Sequence, residues 1–311
     1  MSDDFMVHIW PIGGGKGGSG KSFLTSSLGR LLAESGKRTL LVDLDLGAAN
    51  LHTLIDVPYP TKSLSDFIRK KSPLLQDTVL QTPTPNLFLI SGAHDSLDIA
   101  NLAYEQKIKI LKAIAKLDYD WILLDLGAGT SFNTLDFFLI SQYGIFITTP
   151  EPTSIENVYR LVRAIYFRRI RHSFDTFYFQ QLEKEVARQF GEDAIYKPNC
   201  MMQVVRRLHP EIFLKLDKDI SSYKFKLILN QLRKQDNVAI GAQICQIIEK
   251  HLGIHIEFAG NVSYDDHVHD AICQRVSFLD RYPHARAVAD LQRISKQMVN
   301  SAGEQLLMRY S

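Results

Sequence analysis

The chain has few cysteines, no long apolar run and little net charge. Its three cysteines are widely spaced among 311 residues and form no C-x-x-C pair, so the sequence predicts neither a disulfide framework nor a zinc site. No apolar stretch reaches the ~20 residues that a membrane-spanning helix needs, and the first residues do not resemble a signal peptide. A net charge of +2 shows no general preference for polyanions. These absences predict a cytoplasmic globular protein.

A glycine-rich loop near the start of the chain is the most informative motif. Residues Gly15–Ser22 read G-K-G-G-S-G-K-S and match the pattern G-x-x-x-x-G-K-[ST]. The apolar run Val7–Ile12 precedes the loop, and apolar residues at helical spacing follow it up to Gly36, so the loop joins a predicted strand to a predicted helix N-terminus. Backbone N–H groups in such a loop converge on phosphate oxygens. The motif therefore predicts a nucleoside triphosphate site.

Individual positions of this loop have predicted roles. We expect the Lys21 amine to contact the β- and γ-phosphates and the Ser22 hydroxyl to bind Mg²⁺. The predicted nucleotide-binding residues of the loop are Gly15, Lys16, Gly17, Gly18, Ser19, Gly20, Lys21 and Ser22.

A second lysine in the loop indicates a narrower class. Lys16 follows the first motif glycine, and K-G-G-x-G-K-[ST] resembles the deviant Walker A motif of the MinD/ParA family of dimerising ATPases. The resemblance implies that Lys16 reaches the phosphates of a second subunit across a nucleotide sandwich, where another cation would offset γ-phosphate charge. It thus implies ATP and Mg²⁺ as cofactors and an ATP-dependent homodimer.

Two further segments extend the resemblance. Leu40–Leu51 looks like the family motif D-x-D-x-G-x-x-N, and Trp121–Gly129 looks like a Walker B strand. Their unbroken apolar runs predict strands buried on both faces, with aspartates at the carboxyl ends, where α/β sheets bind ligands. The resemblance implies that Asp45 orients the attacking water, Asp43 supports the Mg²⁺ and phosphate region, and Asp125 binds Mg²⁺ with Ser22. Lys16, Lys21 and Asp45 are the implied catalytic residues.

The second half of the chain points to one branch of this family. Gly144–Ile155 contains T-T-P-E-P-T-S-I, which looks most like the flagellar-placement branch, called FlhG, FleN or YlxH. Lys226–Asn230 is a further predicted strand that ends in Asn230, and Arg233 follows it. The resemblance implies that Asn230 reads adenine and that Arg233 stacks on the base.

Alternating strand and helix patterns predict the fold class. Apolar strands separated by helical patterns indicate an α/β protein with a mostly parallel sheet covered on both faces. We expect one P-loop NTPase domain over residues 1–311, with a seven-stranded sheet and a helical insertion at about 168–224. The predicted strands are Val7–Ile12, Thr39–Asp43, Asn86–Ile90, Trp121–Asp125, Gly144–Thr149, Lys226–Asn230 and Ile256–Val262.

Two segments bear on partners other than a second copy. Ser301–Ser311 has a single basic residue, Arg309, which disfavours membrane binding by a C-terminal helix. The insertion region carries an arginine cluster that suits a solvated face with local carboxylate partners, or else nucleic acid, anionic lipid or an acidic protein partner. The cluster consists of Arg160, Arg163, Arg168, Arg169, Arg171, Arg206 and Arg207.

The resemblance implies a function as a slow molecular switch. Such a protein hydrolyses ATP to ADP and phosphate, cycles between ADP monomer and ATP dimer, and positions or counts a structure such as a flagellum, a pole or another cargo. One alternative is a ParA-like partition ATPase whose ATP dimer binds nonspecific DNA. A second is a metabolic enzyme or iron–sulfur carrier of the same superfamily, although a carrier would need paired cysteines.

Overall fold

A central sheet positions the phosphate loop and the predicted aspartates. The computed structural model describes residues 7–46, 49–92 and 102–309, so Gly47 and Ala48 of the aspartate motif, the first six residues and the last two lie outside it. The strands are β1 His8–Gly13, β2 Thr39–Leu44, β3 Leu80–Gln81, β4 Leu87–Ile90, β5 Trp121–Leu126, β6 Tyr143–Thr148, β7 Lys224–Leu232 and β8 Ile256–Ser263.

Helices cover the sheet on both faces. They are α1 Lys21–Glu34, α2 Leu64–Ile68, α3 Tyr104–Ile114, α4 Phe132–Phe138, α5 Pro152–Arg171, α6 Thr176–Phe190, α7 Pro198–Leu208, α8 Pro210–Ser221, α9 Ile240–Leu252, α10 His267–Gln274, α11 Phe278–Arg281 and α12 Arg286–Arg309. Among the residues that the structure describes, no helix is both long and apolar enough to cross a membrane.

The strand order confirms the predicted class and corrects the strand count. The sheet has eight strands in the order β3-β4-β2-β5-β1-β6-β7-β8, and every neighbouring pair is parallel except β3 and β4. The predicted seven strands missed Leu80–Gln81, which pairs antiparallel with Phe88 and Leu89 at the sheet edge. This strand has only two residues and lies beside a proline-rich stretch, so it carries no alternating pattern that a sequence could reveal.

Burial explains why the central strands are apolar throughout. All residues of β2 and all residues of β5 are buried, as parallel strands covered by helices on both faces require. One core lies under α1 and α12 and contains Trp10 and Trp121. The other lies under α3 to α9 and contains Phe138 and Phe146, whose rings stack at 4.8 Å. The two cores hold the strand ends in a fixed register.

The predicted helical insertion consists of α6, α7 and α8, which follow the long helix α5. Helix α6 begins after Asp175, whose carboxylate accepts a hydrogen bond from the Tyr178 N–H at 2.9 Å. Leu182, Met201 and Leu216, one from each of the three helices, are buried in the same core as α5. The insertion therefore extends the hydrophobic core on one face of the sheet.

Most arginines of the predicted cluster have carboxylate partners. The ion pairs are Arg160–Glu156, Arg168–Asp136, Arg169–Asp219 and Arg207–Glu185. Arg163 differs from these four, because it forms no hydrogen bond or ion pair with any residue that the structure describes. Much of the charge that the sequence displays is thus balanced within the chain.

Candidate functional site

The glycine-rich loop lies at the carboxyl edge of the sheet, between β1 and α1. Helix α1 begins at Lys21, and its first backbone hydrogen bond runs from the Leu24 N–H to the Gly20 carbonyl oxygen at 2.9 Å. No side chain caps this helix, and its first turn has no acidic residue. The N–H groups of Lys21, Ser22 and Phe23 find no acceptor in the described part of the chain. Free N–H groups at a helix start have the chemistry that suits an anion.

Two glycines of the loop are required by close contacts. A Cβ on Gly15 would lie 2.2 Å from the backbone carbonyl carbon of Asn157 at the start of α5. Gly20 has φ +86°, and a Cβ there would lie 2.3 Å from the Asn230 amide nitrogen. The loop is therefore pressed against α5 and against the end of β7.

The tip of the loop is open. Around Gly17 and Gly18 no atom lies within 4 Å of an added Cβ. Lys16 is exposed beside them, and its ammonium group makes no hydrogen bond or ion pair with the described residues. Ser19, in contrast, is buried and donates its hydroxyl hydrogen to the Lys16 carbonyl oxygen at 3.3 Å. The loop is anchored at its sides while the Lys16 side chain remains outside the fold.

Two predicted aspartates lie side by side beneath the loop. Asp43 of β2 and Asp125 of β5 are paired in the sheet register, and each is 1% exposed. Asp43 accepts hydrogen bonds from the N–H groups of Leu51 at 3.0 Å and Asp45 at 3.2 Å. Burial and the neighbouring Asp125 raise the pKa of Asp43 to about 8, against the effect of those two bonds.

Asp125 has a milder environment than Asp43. It accepts hydrogen bonds from the hydroxyl groups of Ser22 and Thr25, the latter at 3.2 Å. Burial raises the pKa of Asp125 to about 6, although these hydroxyls and Lys21 lower it. The structure thus brings together Ser22 and Asp125, which the sequence predicted as Mg²⁺ ligands.

Lys21 is the main cation near these carboxylates. Its side chain is 7% exposed, and burial lowers its pKa while Asp125 and Asp45 oppose the shift. Asp45 is half-buried, and its carboxylate lies against Gly127, the residue after β5, where an added Cβ would be 3.2 Å from Oδ1. The predicted water-orienting carboxylate therefore lies next to the loop that follows the Walker B strand.

Of the two residues predicted to contact the base, one is buried against the phosphate loop and the other is exposed. Asn230 is buried, and its amide nitrogen donates to the Ser19 carbonyl oxygen at 2.9 Å, so it contacts the phosphate loop directly. Arg233 is exposed, and its guanidinium carbon lies 4.3 Å from the centre of the Tyr264 ring. Asn230 thus supports the loop, while Arg233 stacks on an aromatic ring at the edge of the sheet.

Two residues at the site were not predicted. Thr25 lies one helical turn after Lys21, and its hydroxyl contacts both the Lys21 carbonyl oxygen at 2.9 Å and Asp125. Its spacing of four from Lys21 was the signal that could have revealed it. Gln231, with φ +59°, donates its amide hydrogen to the Gly18 carbonyl oxygen at 3.0 Å. No pattern in the sequence marks Gln231.

The residues present fit a magnesium nucleotide. The uncapped N–H groups at the start of α1 suit phosphate oxygens, and the buried pair Asp43 and Asp125 carries more potential negative charge than Lys21 balances. Carboxylate and hydroxyl oxygens are the donors that Mg²⁺ prefers. Fold and site together define a phosphate-loop nucleotide-binding protein of the α/β class.

The comparisons with known proteins identify the family. The chain belongs to the family described as CobQ/CobB/MinD/ParA nucleotide binding domain, which it matches over residues 11–278. It is 20% identical over 295 residues to the antiactivator FleN of Pseudomonas aeruginosa, an alignment that covers 94% of this chain and 86% of FleN. The predicted resemblance to the MinD/ParA family and its FleN branch is therefore confirmed.

Two MinD proteins extend the comparison. The chain is 32% identical over 161 residues to the septum site-determining protein MinD of Helicobacter pylori, covering 51% of this chain and 59% of that protein. Its fold matches MinD of Pyrococcus horikoshii OT3, solved in complex with Mg-ADP, with a TM-score of 0.66, 18% identity and coverage of 96% and 98% of the two chains. The second match supports the fold alone.

Proposed function

We propose that this chain is an ATP-dependent dimerising switch that hydrolyses ATP slowly and positions or counts a cellular structure. The observation that carries the proposal is the exposed, unpartnered Lys16 at the open tip of a loop that is otherwise fixed. A lysine that contacted phosphate in its own subunit would sit within the cradle, as the buried Lys21 does. Lys16 instead faces outward, where a second subunit can meet it.

The proposed roles follow from the position of each residue. Lys21 and the N–H groups at the start of α1 hold the phosphates, while Asp45 orients a water molecule toward the γ-phosphorus. A bond forms from the water oxygen to that phosphorus, and the bond to the β–γ bridging oxygen breaks, which yields ADP and phosphate. Ser22 and Asp125 would hold Mg²⁺, which would supply positive charge near the phosphate oxygens.

Three other predicted residues complete the proposed site. Asp43 supports the Mg²⁺ region from the neighbouring strand. Because the Asn230 amide nitrogen already donates to the loop, we assign its carbonyl oxygen to the amino group of adenine. Arg233 stacks on the base after leaving the ring of Tyr264, and Lys16 neutralises phosphate charge on the partner subunit's nucleotide.

A matched pair of lysine variants tests this proposal. Lys21→Ala should lose nucleotide affinity by roughly 100-fold, because a charge-assisted contact to phosphate is removed. Lys16→Ala should keep affinity within roughly 3-fold of the wild type but lose ATP-dependent dimerisation. The measurements are titration with a fluorescent ATP analogue and light scattering with ATP.

Turnover as a function of protein concentration gives the decisive readout. The specific ATPase rate of the wild type should rise with protein concentration, and that of Lys16→Ala should not. Equal, concentration-independent rates in both proteins would contradict the two-subunit mechanism and leave a monomeric phosphate-loop ATPase. Unchanged nucleotide affinity in Lys21→Ala would contradict the phosphate-loop assignment itself.

A further inference from the structure

A groove on the insertion side of the molecule is not used by the proposed site. It has a volume of about 680 Å³ and lies between α4, α5, α6 and the start of α7. We call it the insertion groove and define it by its apolar lining of Phe132, Phe167, Phe179, Ile195, Tyr196 and Met201. Two of these side chains are exposed although they are large and aromatic, Phe132 at 66% and Tyr196 at 63%. Exposed aromatic residues at the edge of a concave surface are typical of protein interfaces.

Arginines line the same groove as these apolar side chains. Arg160, Arg163, Arg168 and Arg171 all line the groove, whereas Glu183 is its one acidic lining residue in the described part of the chain. The surface therefore combines apolar side chains with positive charge. Such a surface complements a segment that carries both apolar and acidic side chains.

Two of these arginines are held in place by the fold. The Arg168 guanidinium carbon lies 4.7 Å from the centre of the Phe132 ring, and the Arg171 guanidinium carbon lies 4.7 Å from that of Phe179. Arg171 also donates hydrogen bonds to the Phe174 carbonyl oxygen at 3.3 Å and to Thr176 at 3.0 Å. These two side chains shape the groove and present cation-covered aromatic faces.

Arg163 has a different environment. It is only half-exposed, lies among groove residues, and has neither a hydrogen bond nor an ion pair with any described residue. Its neighbour Arg160 pairs with Glu156, but both side chains are exposed, so that pair contributes little. Arg163 is thus the arginine of this groove that can accept a carboxylate partner at no cost to the fold.

The remaining charges argue against a polyanion as the occupant. Nucleic acid and anionic membranes are bound by rows of unpaired cations on an accessible face. Here Arg168, Arg169 and Arg207 are each paired with a carboxylate of the same chain. Among the groove arginines, Arg171 is held by its hydrogen bonds to Phe174 and Thr176, whereas Arg163 has no hydrogen bond or ion pair with a described residue. This arrangement favours one carboxylate placed beside apolar side chains.

We propose that the insertion groove binds a short acidic, amphipathic segment of a partner protein, with a carboxylate of that segment on Arg163 and its apolar side chains against Phe132 and Tyr196. The proposal deepens the proposed function by naming the partner class of the switch, and it rests on that function only for its biological setting. The segment that contributes Phe132 begins α4, directly after the loop whose Gly129 N–H donates to the Gly14 carbonyl oxygen at 3.1 Å. The stretch of chain that leads into the groove therefore also contacts the residue that precedes the phosphate loop.

A peptide-display selection tests the proposal without a known partner. A randomised twelve-residue library is selected on the immobilised full chain alone, without any counter-selection. Enriched peptides are then synthesised with a fluorescent label, and their affinities are measured by anisotropy. We expect peptides that combine Asp or Glu with Phe, Leu or Trp, and a Kd at least about 10-fold weaker for Arg163→Glu. Tyr196→Ser should also weaken binding.

Arg286→Glu serves as the matched control, because it makes the same charge change at an exposed position. Arg286 begins α12, which covers the core that contains Trp10 and Trp121 and does not line the groove. It should keep the wild-type Kd. The proposal is overturned if the selected peptides lack acidic residues or bind Arg163→Glu as well as the wild type. It is equally overturned if Arg163→Glu binds a DNA duplex or phosphatidylserine vesicles more weakly than the wild type does, while its affinity for every selected peptide is unchanged.

The ATPase rate and ATP-dependent dimerisation of Arg163→Glu separate this proposal from the proposed function. Arg163 forms no hydrogen bond or ion pair with any described residue of the nucleotide site, so both properties should equal those of the wild type. A chain that binds the peptides but does not hydrolyse ATP would contradict the proposed function and leave the groove assignment standing.

Discussion

Two regions of this molecule that contain buried carboxylates have opposite surroundings. At the base of the insertion, Asp136 of α4 is 7% exposed and forms ion pairs with Lys107 at 2.8 Å and Arg168 at 2.7 Å. Beneath the phosphate loop, Asp43 and Asp125 are even more deeply buried, yet they lie beside each other. The charge of Asp136 is balanced by cations of the same chain, whereas the carboxylates Asp43 and Asp125 are not fully balanced. We call the first region complete and the second incomplete.

The pKa directions express this difference. Burial raises the pKa of Asp43 to about 8 and that of Asp125 to about 6. Burial acts in the same direction on Asp136, but hydrogen bonds from Arg168 and Lys107 exceed it and hold the pKa of that carboxyl below its ordinary value. A buried charge that is paired serves the fold, whereas a buried pair of like charges indicates a site that expects a cation. The comparison therefore separates structure from function among residues of the same type.

The largest predicted effect is a loss of stability when the ion pairs of the complete region are removed. Asp136→Ala would leave Lys107 and Arg168 without their buried partner, and we expect the free energy of unfolding to fall by about 3–5 kcal/mol. Urea unfolding followed by circular dichroism measures it. Asp45→Ala, the same truncation at a half-buried position, should change that free energy by less than about 1 kcal/mol. Similar losses in both variants would mean that the two regions do not differ as proposed.

The next effect belongs to the incomplete region. Asp45→Ala should bind ATP normally but turn over about 100-fold more slowly, because loss of a water-orienting carboxylate affects the transition state and leaves ground-state binding intact. Steady-state phosphate release and ATP-analogue titration provide the two readouts, and light scattering should show a persistent dimer with ATP. A normal rate would reduce Asp45 to a residue of the turn.

Parts of this comparison were visible in the sequence and parts were not. The apolar runs that end in Asp43 and Asp125 predicted both strands and placed both carboxylates at one edge of the sheet. The pairing of Asp136 with Lys107 and Arg168 was not predictable, since these residues lie on three different helices. Local patterns specify elements and the ends of strands, but contacts between distant side chains depend on tertiary packing.

In the insertion, too, the helices were predictable from the sequence but their contacts were not. A helical insertion was predicted at about 168–224, and α6, α7 and α8 lie in that range. The groove between α4, α5 and α6, however, arises from how these helices pack. The seven arginines of the predicted cluster looked alike in the sequence. Only the structure distinguishes the paired Arg168 and Arg169 from the unpartnered Arg163.

The smallest predicted effect compares the two regions through pH. In the nucleotide-free protein, Asp43 stays protonated in the folded state up to about pH 8 but ionises near its ordinary value of 3.8 when unfolded. The folded state thus binds the extra proton between these values, and stability falls as the pH rises through that window. Asp136 does not contribute to the pH dependence in this window. Because its pKa is lowered, its contribution to stability is constant above about pH 4 and is lost only on further acidification.

Between pH 5 and pH 7 the wild type should therefore lose about 1 kcal/mol of unfolding free energy per pH unit relative to Asp43→Asn, whose neutral amide does not titrate. Urea unfolding of both proteins at several pH values measures the difference. Mg²⁺ with ADP should reduce the difference, since a bound cation favours the ionised carboxylate, and parallel pH profiles without nucleotide would show that Asp43 is already ionised in the folded chain.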